Sequence, residues 1–566
     1  MAEPLRIGLL CDDRAPKRWE VECLRKVLEV PGVELVVVAR RNSPPLLRPG
    51  LVQRVLRHPW RMALFLHYRR HFLRVPAYSP DAWPEAVQKA PTVPVTPQRD
   101  GTTERFSPAD LDRIKAHAPD VLLRFGFGIL KGDILQLPRL GIWSYHHGDS
   151  THYRGQPPGF WEMHDGSPVI GAVLQRLTER LDAGAELMNG WFAVDPGSLS
   201  RTLDTAIMGS TGWMAEVCRR IRAGNAQAAQ GTPCITSAPV RRYPENRAFL
   251  RFYGRTRAAR STRGEALDGR EWNIGVLYQP ISALLDERPS LNPRWLPAPS
   301  VGSARNTPFG YLVDGQLNVL YTKRDRVTGA AVISRLRPKR DNVLKRSRTM
   351  LEDTRPVAYP CLVHHADQYW VVCERQGSGR TDLFTLNAGN DALEFHSTLL
   401  PVELRAPTLF HHDGRWWLMG TLDPGGDHDL HVFHAEQLTG PYRPHAMSPV
   451  LTDARYARPA GSPFVHAGVL YRPAADRTSP DGEVVLLRVD VLTPDAFQQT
   501  PVRSFSAIKG SPWSRGIGCI TAVDGITLVD GVRGGAALAE GRPSKGSART
   551  KRNTDDRAIE RDDEDE

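Results

Sequence analysis

The segment GIWSYHHGDSTHYRGQPPGFWEMHDGSPVIGAVLQRLTERLDAGAEL, residues 141–187, opens on an apolar run that predicts a buried strand at Gly141–Tyr145. Just upstream, FSPADLDRIKAHAPDVLLRFGFG (106–128) predicts a helix capped by Ser107, with Asp110 as its short capping partner. That helix ends near Pro119, and Val121–Phe125 reads as another buried strand. Further out, strands are expected at Leu5–Leu10 and Glu34–Ala39, on either side of a helical Lys17–Val30. This βαβ rhythm argues for a parallel sheet covered by helices. Residues 198–223 read as a closing amphipathic helix. Residues 42–100 break the rhythm with Pro, Arg and aromatics and read as an insertion or lid. Its run RHPWRMALFLHYRRHF (57–72) predicts one basic amphipathic helix, either lying on the surface or touching a membrane.

At 566 residues the chain calls for two or three domains. Its 41% hydrophobic and 24% charged content is that of a soluble globular protein. The net charge of +11 comes largely from Arg spread along the chain. With no nucleic-acid-binding motif beside it, that charge does not point to a nucleic-acid partner. The seven cysteines (Cys11, Cys23, Cys218, Cys234, Cys361, Cys373, Cys519) show no CxxC spacing and read as reduced core thiols. The start, MAEPLRIGLLCDDRAP, reads as a first strand and not as a signal peptide, and no apolar run has membrane length. A cytoplasmic location is expected.

Several elements of the 141–187 segment fall in order: Ser144-Tyr145-His146 at a strand end, Arg154-Gly155 closing a loop, Gly171 opening a second strand, and Asp182-Ala183-Gly184. The set resembles the folate-dependent formyltransferases, such as the methionyl-tRNA, glycinamide-ribonucleotide and amino-sugar enzymes. The resemblance implies a Rossmann-like α/β domain and 10-formyltetrahydrofolate as donor substrate. It also implies a catalytic pair, His146 and Asp182, and a folate pocket beside Phe125, Gly126, Phe127, Gly128 and Ile129. Formyl transfer needs an uncharged amine to attack the formamide carbon, so an oxyanion develops while the nitrogen loses a proton. A histidine serves either need, and a carboxylate orients it. Ser144 departs from the pattern by standing where the family has an asparagine that donates to the formyl oxygen. A lost oxyanion donor costs about two to three orders of magnitude in rate. Asp149 either meets the substrate amine or caps a turn, and Arg154 either orders the loop or contacts a phosphate. His146, His147, Asp149 and His152 also suit zinc. Their spacing follows the formyltransferase loop, however, and no metal is expected.

From about residue 270 the apolar segments become short and alternating, with Asp-Gly, Gly or Asn turns between them. A loose repeat runs through TPFGYLVDGQLNVLYTKRD (307–325), YPCLVHHADQYWVVCERQ (359–376), APTLFHHDGRWWLMGTLD (406–423) and SPFVHAGVLYRPAADR (462–477). Repeats of this kind fit propeller blades. Together with WNIGV (272–276), GPYRPH (440–445) and ARYARPAGSPF (454–464), they resemble the propeller of glucosamine inositolphosphorylceramide transferases. The resemblance implies a five-bladed β-propeller of glycoside-hydrolase-like type. Hydrolytic propellers place carboxylates round a funnel. Here Asn306-Thr307-Pro308-Phe309 and Ala406-Pro407-Thr408 lack the expected acids, while Glu374 and Asp476 remain. Carbohydrate binding at these two residues is therefore expected over hydrolysis.

The expected organisation is a formyltransferase-like α/β domain (1–225), a linker (226–269), a five-bladed propeller (270–535) and a disordered charged tail (536–566). The leading functional expectation is N-formyl transfer to the amine of an amino sugar in glycan or glycoconjugate synthesis. A carbohydrate-binding scaffold with a decayed centre, and a glycan-processing enzyme working from Glu374 and Asp476, remain as alternatives.

Overall fold

The computed structural model describes residues 3–42, 60–149, 151–179, 184–233, 236, 238–268, 270–338, 347–387, 392–422 and 426–534. Asp182, Cys234 and the expected tail lie outside these residues. Among the described residues, strand residues outnumber helical ones, so the protein is multidomain and mostly β.

The N-terminal elements are β1 (Leu5–Cys11), α1 (Arg18–Leu28), β2 (Val33–Arg41), α2 (Ala63–His71), β3 (Thr92–Val95), α3 (Pro108–Lys115), β4 (Val121–Phe125) and β5 (Ile142–His146). After them come α4 (Phe160–Asp165), β6 (Val169–Arg176), β7 (Ala185–Ala193), α5 (Leu199–Gly209), α6 (Trp213–Arg222), β8 (Thr232–Pro233) and α7 (Asn246–Asp268). The strands form one sheet in the order β8-β7-β6-β5-β4-β1-β2-β3. Its β5-β4-β1-β2-β3 half is parallel, and β6, β7 and β8 add antiparallel. The parallel strands are apolar because helices cover both faces. Ile7, Leu9, Leu10, Leu122, Leu123 and Trp143 are all buried. Ser107 caps α3 as expected, accepting from the Asp110 amide.

Three expectations for this half are corrected. The insertion 42–100 contributes β3 to the sheet edge, because Thr92–Val95 pairs in parallel with Val38–Arg41. The closing helix is two helices, α5 and α6, with Ser210 as the C-cap of the first and Gly212 as the N-cap of the second. The linker contains α7, whose Phe249 and Phe252 are buried against Phe65, Tyr68 and Phe160. Its many arginines hid this apolar face.

The second half consists of five antiparallel sheets of four strands each, and in all but the first the strands pair in sequence order. The fourth also pairs a short Leu451–Thr452 strand. The first sheet joins both ends of the region, Arg270–Leu277 pairing with Ile526–Gly534. One two-residue turn recurs in all five sheets, with both residues at positive φ: Asp314-Gly315, Ala366-Asp367, Asp413-Gly414, Ala467-Gly468 and Asp524-Gly525. Such turns match the twist of the strands they join. The Pro-containing entries also share a feature, since Thr307, Tyr359 and Ala406 have positive φ where the strand pairing shifts register.

Neighbouring sheets are stitched near these entries. Tyr359 Oη accepts from the Gly461 amide at 2.8 Å and lies 3.0 Å from Thr408 Oγ1. Asp530 accepts from the Thr307 and Gly518 amides, each at 2.8 Å. Burial raises the Asp530 carboxyl from 3.8 to about 6 against these hydrogen bonds. With the folded value above the unfolded one, its contribution is fully present below about pH 4 and is lost as pH rises through about 6. Asp530→Asn leaves one amide facing an NH2 group and is expected to cost about 1–3 kcal/mol at neutral pH. It should also flatten the fall in stability between pH 4 and 6, read by urea titration.

The halves meet where β7 abuts the fourth sheet. The Ala454 amide donates to the Trp191 carbonyl at 2.9 Å, and Phe192 packs on His428.

Candidate functional site

In an open α/β sheet, ligands bind beyond the C-terminal ends of the strands where the strand order reverses. Here the reversal lies between β1 and β4, since the chain goes from β1 to β2 on one side and returns to β4 on the other. A cleft of about 560 Å³ sits at that place. Its wall comprises Asp12, Arg14, Lys17, Trp19 and Glu20 after β1, Phe125–Phe127 after β4 and Ser144–His147 at the end of β5. Phe65, Arg69, Tyr78, Gln156–Pro158 and Tyr243 help close it.

The structure brings some of the expected site residues together and leaves others out. Ser144 and His146, two apart on β5, share one strand face and both line the cleft. Phe125, Gly126 and Phe127 line it as well. Gly128 and Ile129 stand behind the wall: the Gly128 amide donates to Glu104 at 2.7 Å, and Ile129 pairs with Thr103. Asp149 caps a turn, its Oδ1 accepting from the Thr151 and His152 amides and its Oδ2 lying 2.9 Å from His152 Nδ1. Burial opposes ionisation of Asp149, but the Thr151 and His152 hydrogen bonds outweigh it and hold the carboxyl low. Arg154 orders the loop, bonding the Ala238 carbonyl and accepting the Arg241 amide. Among the described residues no His, Cys, Asp and Glu side chains gather in a group able to hold a metal ion. Asp182 is outside them.

The Arg154-Gly155 element has a steric reason. Gly155 has φ +99°, and a Cβ there would stand 2.1 Å from the Arg241 carbonyl oxygen. Gly155→Ala is expected to destabilise by about 1–3 kcal/mol, read from the denaturant midpoint. It should also loosen the Gln156–Pro158 wall.

The two adjacent histidines differ. His147 packs edge-on to Trp19 and stacks on Tyr145. Burial, with His146 and Lys17 nearby, pushes it down to about 3, so it is neutral at working pH.

Several site residues escaped the sequence reading. Arg124 Nη1 donates to Ser144 Oγ at 2.9 Å, and Nη2 donates to the carbonyls of Phe127 and Gly128. Arg41 forks onto Glu104 at 2.7 and 2.8 Å and reaches Asp12 at 2.7 Å, tying the loop after β4 to β2. Their signals were charged residues set against apolar runs: Arg124 within VLLRF and Arg41 in the Arg40-Arg41 pair that ends ELVVVA.

In the second half, Glu374 and Asp476 both make contacts within the protein. Glu374 Oε2 accepts from Arg458 and the Ala406 amide, both at 3.0 Å. Arg458 also holds Asp427 at 2.6 Å, and Arg477 holds it at 3.1 Å. Asp476 caps a turn through the Thr478 amide and hydroxyl.

Comparison with known proteins matches residues 298–513 to a family described as glucosamine inositolphosphorylceramide transferase 1, N-terminal. A 94-residue stretch is 30% identical to the bifunctional polymyxin resistance protein ArnA of Wigglesworthia glossinidia brevipalpis. That stretch covers 16% of this chain and 14% of that protein. Among solved structures, an exo-1,5-α-L-arabinanase from a bovine ruminal metagenomic library is similar at 11% identity and TM-score 0.28, over 34% of this chain and 76% of that one. An exo-β-1,3-galactanase of Phanerochaete chrysosporium gives 13% and 0.30, over 36% and 49%. A family 117 glycoside hydrolase of Zobellia galactanivorans gives 13% and 0.30, over 41% and 85%. At such TM-scores these likenesses carry no argument about chemistry.

Proposed function

We propose that the chain is an N-formyltransferase that moves a formyl group from 10-formyltetrahydrofolate to the amine of an amino sugar during glycan or glycoconjugate synthesis. The observation that carries this reading is the convergence of Ser144 and His146 on a cleft at the switch point of the sheet, beside Phe125–Phe127. In the proposed reaction the amine nitrogen attacks the formyl carbon and gives up a proton, and the carbonyl oxygen takes the negative charge. The donor nitrogen then leaves with a proton. His146 is the proposed proton relay, Asp182 its orienting carboxylate, and the Phe125–Ile129 segment the folate side. The match of residues 298–513 supports the glycan side of the reading, with the five sheets taken as blades of one ring that hold carbohydrate.

The alternative with chemistry at Glu374 is disfavoured by Arg458 and Arg477, which together balance Glu374 and Asp427. The test is incubation with 10-formyltetrahydrofolate and a panel of free and nucleotide-linked amino sugars, followed by mass spectrometry. A formyl mass gain with release of tetrahydrofolate is expected. Neither turnover nor folate binding across a broad panel would replace the proposal with the carbohydrate-binding scaffold.

A further inference from the structure

Arg124 is the only charged residue in β4, and its side chain lies against the cleft. A guanidinium has five N–H donors. Three of them are used here, on Ser144 Oγ and on the carbonyls of Phe127 and Gly128. Nε is enclosed and has no acceptor. The carboxylates nearest to it, Asp12 and Glu104, are occupied by Arg41. The cleft wall as a whole carries four cations, Arg14, Lys17, Arg69 and Arg124, against two carboxylates, Asp12 and Glu20. Glu20 and Arg14 pair with each other. Ser144 Oγ accepts from Arg124, which leaves its own proton to donate, with only a 3.5 Å contact to the Tyr145 carbonyl.

An enclosed donor beside a cationic cleft suits an anionic oxygen. We propose that Arg124 and Ser144 form an oxyanion site next to His146, which takes a carboxyl-type oxygen of the bound ligand. Ser144 thus donates through a hydroxyl polarised by Arg124, where related enzymes use an asparagine amide. The oxygen has two sources of the same chemistry: the formyl oxygen as it becomes anionic, or a permanent carboxylate on the substrate. Only the first source rests on the formyl-transfer reading.

The probe is sodium formate, titrated into the full-length protein by calorimetry at constant ionic strength. Wild type should bind it, and Arg124→Met should weaken binding at least about tenfold. Arg124→Lys, which keeps the charge but not the fork, should fall between them. Ser144→Ala removes only a hydroxyl and tests the site even if Arg124→Met fails to fold; it should weaken formate severalfold. A wild type that ignores formate, or folded Arg124→Met and Ser144→Ala proteins that bind it as well as wild type does, overturns the proposal. The formate arm needs no turnover. Formate binding without formyl transfer therefore retires the formyl reading and leaves the anion site standing. Where transfer occurs, a loss of about 10²–10³ in kcat at unchanged KM in Ser144→Ala identifies the formyl oxygen. A rise in KM at unchanged kcat identifies a substrate carboxylate.

Discussion

His146→Asn is expected to lower kcat for formyl transfer by about two to four orders of magnitude while leaving the melting temperature within a degree or two of wild type. His146 ends β5, is half-buried and lines the cleft, so its loss empties no core. Asparagine keeps a donor near the imidazole position but cannot relay a proton, which separates the two roles a histidine can fill. The neighbour offers no substitute. His147 is pushed down to about 3 and stays neutral between its aromatic partners. His147→Gln should therefore leave the shape of the pH–rate profile unchanged, although the loss of packing on Trp19 would lower stability. Turnover by His146→Asn within tenfold of wild type would remove His146 from the mechanism. The measurement is steady-state kinetics with the best amine from the panel.

Arg41→Met carries the largest expected loss of stability, about 3–5 kcal/mol, because it strips the buried Glu104 of its two-point partner and leaves only Arg99 at 3.4 Å. Glu104 is fully buried and Arg41 nearly so, and the pair joins the end of β2 to the segment beside the cleft. In wild type, burial would raise the Glu104 carboxyl, but the Arg41 hydrogen bonds, helped by the Gly128 amide, hold it below its ordinary 4.5. That contribution is present above about pH 4.5 and is lost as pH falls further. In Arg41→Met only the Gly128 amide and Arg99, 3.4 Å away, still oppose burial, so the carboxyl rises from its wild-type value. The variant should then lose less stability than wild type does as pH falls below about 4.5. Urea titrations at several pH values check both slopes. Adding Glu104→Gln to Arg41→Met should recover part of the loss, since the poorly compensated charge is gone. If Arg41→Met unfolds within about 1 kcal/mol of wild type, the ion pair does not support this wall of the cleft.

What the amino-acid order determined by itself was whatever depends on neighbours along the chain. Alternation and Asp-Gly turns marked hairpins at Asp314-Gly315 and Asp413-Gly414, apolar runs marked β1, β2 and β4, and Ser107 marked its helix start. The strand end carrying Ser144 and His146 was legible for the same reason. What only the tertiary structure decided was the company each polar group keeps. Arg41 meets Glu104 because a small sheet places Thr103–Arg105 beside Ile129–Leu130. Arg124 meets Ser144 because β4 and β5 are neighbours. Glu374 is neutralised by an arginine 84 positions away. Asp149 and Asp476 became turn caps once their loops closed. Local periodicity sets where a strand or turn forms. The partner of a buried charge depends on which strands lie side by side, and that is settled only when the sheets assemble.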